Sequence, residues 1–166
     1  MERTKFAPAL TECNDEITII LRYMSEHFRR LERMYASAPI NEYFAPRLQI
    51  VEAGVAELRI AIRPEFHHAA HAVHGAVYFK ALDDATFFAA NSVVEDVFVL
   101  TVSFNLYFTR PVTDGEIVAT GRVVTRSRRL YIAEGVIVDA RGREIARGSG
   151  AFMPSAQSLS ADIGYR

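Results

Sequence analysis

HHAAHAVHGAVYFKALDD, residues 67–84, decides the reading of this chain. Four histidines and one glycine lead into an apolar segment broken by two adjacent carboxylates, Asp83 and Asp84. From Gly75 to about Asn91 there is no proline and no further glycine, which predicts a helix of about four or five turns. A helix that is apolar around most of its circumference belongs in a core. An ionised carboxylate there is unfavourable unless it is paired, bonded or used, so Asp83 and Asp84 mark where chemistry is to be sought.

Working outward, Leu48 to Glu52 and Val55 to Arg63 read as two strands around a turn at Ala53-Gly54. Beyond the helix, Phe98, Leu100, Val102, Phe104, Leu106 and Phe108 alternate with more polar positions, the period-two pattern of a long strand with one strongly apolar face. Ile117 to Thr125 follows the Asp114-Gly115 turn, and Leu130 to Asp139 and Glu144 to Met153 flank a turn at Arg141-Gly142. A long buried helix between two early strands and four later antiparallel ones predicts an α+β fold, one curved antiparallel sheet wrapped around that central helix. Gly121, Gly135, Gly148 and Gly150 inside strands fit a strongly bent sheet or a close backbone contact.

Upstream, apolar residues recur every three or four positions from Asn14 to about Ser37, an extra N-terminal amphipathic helix that Pro39 stops. Asp15 and Glu16 suit its amino end and Arg29, Arg30 and Arg33 its carboxyl end. Its acidic first turn and mixed polar face favour packing on the domain over lying on a membrane. Residues 155–166 carry no clear pattern.

The 166 residues suffice for one core, which would remove about 70% of the unfolded chain's surface from water. A net charge of −1 offers no global attraction for nucleic acid or an anionic membrane, so neither is expected as a partner. No apolar run is long enough to span a bilayer, and the amino terminus lacks a signal peptide's apolar segment, so the expected compartment is the cytoplasm. The single cysteine, Cys13, forms no intramolecular disulfide and reads as structural filler.

Several residues are candidates for a site. His74-Gly75 at a helix start presents unpaired backbone N–H groups and the positive end of the helix dipole, which would stabilise an oxyanion. Asp84 lies four residues after Lys80, the spacing of an ion pair. Asp83 has Phe79 and Phe87 four residues away on either side and no such partner, so its functional reading is the stronger. Eight residues separate Gly75 from Asp83, about 12 Å along a helix. If both act on one carbonyl, the simplest geometry is a two-fold dimer with antiparallel copies of the helix, each giving its amino terminus to one site and its Asp83 to the other. His68, His71 and His74 raise a metal site, but without an H-E-x-x-H pattern hydrogen bonding at the site entrance is the better reading, and no metal is expected. Arg126, Arg128 and Arg129 form a basic cluster between two strands, suited either to phosphates or to solvent.

These residues resemble the hotdog-fold acyl-CoA thioesterases, particularly the PaaI type found in phenylacetate degradation. The resemblance lies in HGAVYFKALDD (residues 74–84), TVSFNLYFTRPVTDGE (101–116), TRSRRL (125–130) and DARGREIARGSGAF (139–152), in that order and spacing. It implies a hotdog domain over residues 43–154, with a helical extension at 1–42 and a tail at 155–166. It further implies an acyl-CoA substrate bound at the interface of a homodimer or a dimer of dimers, with coenzyme A as part of the substrate and no separate cofactor. Gly75 would polarise the thioester carbonyl and Asp83 would act as general base or nucleophile. Thr101 would help orient water, and Arg126, Arg128 and Arg129 would lie near the coenzyme A phosphates. The sequence departs from the family pattern at His68, often Asn, at His71, usually Gly, and at Ala76, the second glycine of HGG.

Two functions of different class follow from this reading, a thioester hydrolase and a non-catalytic acyl-CoA-binding module on the same fold. A hotdog hydratase ranks lower because no D-x-N-x-x-H arrangement is present. A metal hydrolase would be recognised by stoichiometric metal and loss of activity with chelator.

Overall fold

The computed structural model describes the backbone of residues 9–166 and the side chains from residue 23 onward. Cys13 thus lies outside the described side chains. The chain runs through α1 (Ala9–Ala36), α2 (Ile40–Phe44), β1 (Arg47–Glu52), β2 (Val55–Ala61), α3 (Gly75–Asn91), β3 (Val97–Phe108), β4 (Glu116–Arg126), β5 (Tyr131–Val138) and β6 (Glu144–Ser158). The six strands form one antiparallel sheet in the order β1-β2-β4-β5-β6-β3. The helix start at Gly75 and end at Asn91 fall where the uninterrupted apolar run predicts.

The four late strands do not pair in chain order. β4 joins β2, while β3 pairs with β6 at the far edge. The sheet curves around α3, whose Ala81, Leu82, Ala85 and Ala89 are fully buried against it. Close approach depends on Gly121, where a Cβ would lie 2.4 Å from the Ala85 backbone carbon and oxygen. Any side chain at that position would push the helix off the sheet.

The single apolar face expected for β3 is not what forms. Val102 is an extra residue between the Thr101–Phe152 and Ser103–Ala151 pairs, and this bulge switches which face each side chain takes. Before it, Val99 and Thr101 face the helix, and after it Phe104 and Leu106 pack on the core. Leu100 and Val102 are left 53% and 57% exposed on an edge strand. A strict two-residue period cannot reveal a bulge, because the inserted residue here is itself apolar.

Two segments without a sequence pattern acquire structure by packing. Pro39 starts α2 as its N-cap rather than only ending α1. Residues beyond β6 form a short 3-10 turn, Ala161–Ile163, and return to α1. There the Tyr165 hydroxyl meets His27 Nδ1 at 2.7 Å, while His27 Nε2 meets the Asn91 carbonyl at 3.1 Å. A carbonyl only accepts, so Nε2 carries the proton and the Tyr165 hydroxyl donates to Nδ1. Burial lowers the His27 pKa, which favours this neutral form. No helix among the described residues is long and apolar enough to cross a membrane.

Candidate active site

α3 carries two separate groups of candidate residues, one at its amino end and one in its middle. At the amino end His74 is the N-cap, and its Nδ1 accepts from the Ala76 N–H at 3.0 Å. The His74 N–H donates to the Phe66 carbonyl and the Val77 N–H to the His74 carbonyl. The Gly75 N–H is left without an acceptor among the described residues. It points from the positive end of the helix dipole, where a developing oxyanion is stabilised. Gly75, His68, Tyr78 and Phe108 line a shallow depression of about 370 Å³. The Phe108 ring sits so near that a Cβ on Gly75 would meet it at 3.0 Å.

The preceding histidines form a loop. His68 Nδ1 accepts from the Ala70 N–H at 3.1 Å, and His67 Nε2 lies 2.9 Å from the Thr113 carbonyl. His71 has φ +61°, the left-handed conformation that glycine adopts at least cost, at the position where the thioesterase pattern usually has glycine. Among the described residues no three His, Cys, Asp or Glu side chains come together to hold a metal ion.

Asp83 opens into a different cleft, of about 800 Å³, which shares no lining residue with the depression at Gly75. Thr101 Oγ1 donates to Asp83 Oδ1 at 2.9 Å, so Thr101 does reach the site from the helix-facing side of β3. No donor among the described residues reaches Asp83 Oδ2. Burial raises the Asp83 pKa from 3.8 to about 6, against the Thr101 hydrogen bond that lowers it. Within that net value the Asp84 charge also raises it and Lys80 lowers it. Lys80 therefore touches Asp83 electrostatically, although the helical spacing gave Asp83 no partner.

Asp84 is paired as its spacing from Lys80 predicts, with Nζ 2.5 Å from Oδ2. The Tyr35 hydroxyl, from α1, donates to the same oxygen at 2.5 Å. Burial and the Asp84 charge hold the Tyr35 phenol protonated by raising its pKa. Sequence gave no sign of Tyr35, because its partner lies 49 residues away and is reached only when α1 packs on α3.

Arg126, Arg128 and Arg129 are exposed around the β4–β5 hairpin and form no ion pair among the described residues. The Ser127 hydroxyl shapes that turn by accepting from the Arg129 and Leu130 N–H groups at 3.4 and 3.1 Å.

Residues 70–146, from the histidine loop into β6, match the sequence pattern of the thioesterase superfamily. Among solved structures the chain is similar to the Escherichia coli PaaI protein from the phenylacetic acid degradation operon, with a TM-score of 0.75 and 16% identity over 82% of this chain and 99% of that one. A phenylacetic acid degradation-related protein from Ralstonia eutropha gives 0.68 and 24% over 76% and 98%. A thioesterase from Haemophilus influenzae gives 0.67 and 13% over 73% and 85%. No curated protein matches the sequence. The six-stranded sheet bent around α3 is the hotdog fold of these structures, and the thioesterase-superfamily pattern of residues 70–146 runs across its helix and strands. The resemblance to the PaaI type read from the sequence is shown at the level of the fold.

Proposed function

We propose that this protein is an acyl-CoA thioesterase that works as a homodimer or a dimer of dimers. The observation that carries the reading is Asp83, a half-buried carboxylate with one oxygen held by Thr101, the other directed at no protein group, and a pKa raised to about 6. A base with a pKa near the working pH combines availability with proton-transfer power.

In the general-base route, Asp83 takes a proton from water while the water oxygen bonds to the thioester carbon. The carbonyl π electrons move onto oxygen, where the Gly75 N–H of the partner subunit receives the negative charge. The intermediate collapses, the C–S bond breaks, and the thiolate leaves with the proton returned by Asp83. In the nucleophilic route Asp83 itself bonds to the carbon, the C–S bond breaks and the thiolate leaves to take a proton from solvent. Water then adds across the resulting anhydride to release the acid and the Asp83 carboxylate, with the proton lost to solvent. Heavy-oxygen solvent tests the second route, because label found in Asp83 after a single turnover requires an anhydride whose Asp83 carbon water has attacked.

Two features support a shared site. Gly75 and Asp83 line different cavities of one chain, so each lacks what the other has. β3 is an unpaired edge twelve residues long, with Leu100, Val102, Tyr107 and Phe108 exposed. An edge of that length and apolarity calls for a partner. Arg126, Arg128 and Arg129, exposed and without carboxylate partners, suit the coenzyme A phosphates.

The test is thiol release from an acyl-CoA panel with two variants. Gly75→Pro deletes one N–H at the first helical position, where proline is tolerated, and His74 already has the extended backbone that precedes proline, φ −67° and ψ 142°. Its kcat should fall by about 100-fold or more, the cost of one oxyanion donor, while Gly75→Ala retains the N–H and most activity. Mixing inactive Gly75→Pro and Asp83→Asn chains should restore about a quarter of wild-type activity, since half the dimers are mixed and each mixed dimer has one intact site. No turnover of any acyl-CoA by the wild type would refute the reading, and no recovery on mixing would refute the shared site.

A further inference from the structure

The cleft at Asp83 is closed by parts of the chain that lie outside residues 70–146. Met34 and Tyr35 come from α1, and Ile163 and Gly164 from the turn after β6. Between them and Asp83 runs a connected aromatic wall. The Phe87 ring lies 4.9 Å from Phe98 and 5.1 Å from Phe88, whose ring in turn meets Tyr35 edge-on at 5.0 Å. Beside this wall the Asp84 carboxylate is paired with Lys80 and accepts from the Tyr35 hydroxyl. The aromatic wall gives the cleft an apolar side leading to a base, while Asn41, Gln157, Asp162 and Arg166 also line it. A mostly apolar site with a few polar groups is how an apolar acyl group is recognised and its carbonyl placed.

We propose that the turn Ala161–Ile163 is a wall of the acyl site and that Ile163 sets the size of acyl group accepted, an inference that rests on the acyl-CoA thioesterase reading. The turn is held there by the tail itself. Tyr165 is tied to buried His27 on α1, and the Arg33 guanidinium donates to the Arg166 carbonyl. Gly164 makes the return possible with φ +88°, and a Cβ there would strike Ser37 Oγ at 2.4 Å. Ile163, packed against the core yet lining the cleft, is the apolar side chain that this arrangement presents.

The chain contains no tryptophan, so Ile163→Trp both narrows the cleft and installs a sole indole, whose emission is read by exciting it apart from the tyrosines. Full-length wild type, Ile163→Ala, Ile163→Trp and Tyr165→Phe are compared by kcat/KM on acetyl-, butyryl-, octanoyl-, lauroyl- and phenylacetyl-CoA. The straight-chain and aryl substrates separate the two sources of an apolar acyl group. Ile163→Trp should lower kcat/KM for lauroyl-CoA by at least about tenfold while leaving acetyl-CoA within about twofold. Ile163→Ala should move the preference toward longer chains, and Tyr165→Phe should flatten it. Equal changes for every acyl group, or none, would overturn the assignment of Ile163. If the wild type releases thiol from none of the panel, the thioesterase reading falls. The emission of the Ile163→Trp variant then decides the wall by itself, since a shift with lauroyl-CoA but not with free coenzyme A supports it and no shift overturns it.

Discussion

Replacing Asp83 by Asn should abolish turnover and make the protein more stable at neutral pH. In the folded chain the Asp83 pKa is about 6, raised by burial from 3.8, so folding holds the proton more tightly than the unfolded chain does. A group with a raised folded pKa costs nothing when protonated in both states and costs most once ionised in both. The cost therefore grows as pH rises from about 4 to about 6 and levels off above about 7. A shift of roughly two pKa units corresponds to about 3 kcal/mol at that plateau. Solvent reaching the cleft lowers this, and about 1–3 kcal/mol is the fair range. Asn has nearly the same shape, and its carbonyl oxygen still accepts from Thr101 Oγ1, so the substitution removes the cost and little else. For a chain of this length the Tm should rise by about 3–10 °C near pH 8, by less near pH 5, and by almost nothing near pH 3. Differential scanning calorimetry of both proteins across that range reads the effect, beside a thiol-release assay. A Tm difference independent of pH, or a variant less stable than wild type near pH 8, would refute burial as the cause of the shift.

Three further outcomes follow from the geometry. Turnover by the wild type should rise with pH through a midpoint near 6 as Asp83 ionises, and Thr101→Val, which deletes a hydrogen bond to the carboxylate, should move that midpoint upward in the pH profile of kcat/KM. Gly121→Ala should destabilise the fold by about 2 kcal/mol or more in urea titration, because its Cβ would lie 2.4 Å from backbone that cannot rotate away. Val102→Lys, at the exposed bulge of the β3 edge, should give a folded chain of lower mass in light scattering with little activity, since a lysine there opposes edge pairing and a lone chain has only half a site.

The hotdog framework was legible because its signals are local. The uninterrupted apolar run fixed α3, the Lys80-to-Asp84 spacing fixed an ion pair, and the strand glycines announced a close contact that Gly121 makes with Ala85. What escaped depends on distance. The Val102 bulge is invisible in a stretch where every neighbouring position of that face is apolar. Tyr35 and the tail reach the cleft only through packing between segments far apart in sequence, and α2 is five residues long. Residues 155–166 have no periodicity because their turn is secured by side-chain contacts to α1 rather than by a repeating face.

In the proposed dimer the exposed edge of the sheet and the separation of Gly75 from Asp83 would have a common resolution. Thr101 of β3 holds Asp83, and Phe108 of the same strand covers Gly75, so one edge strand borders both half-sites of its own chain. An antiparallel pairing of two β3 edges reverses the direction of the second strand. The Phe108 end of one copy would then lie toward the Thr101 end of the other, and with it the amino terminus of one α3 would approach the Asp83 of its partner. The same contact would bury Leu100 and Val102, which are costly to leave in water on an open edge. On the proposed function, association and catalysis would then be one event. A chain that fails to pair would retain its core, since α3 and the sheet are complete within it, but it would separate the carboxylate from the N–H group that the proposed chemistry requires.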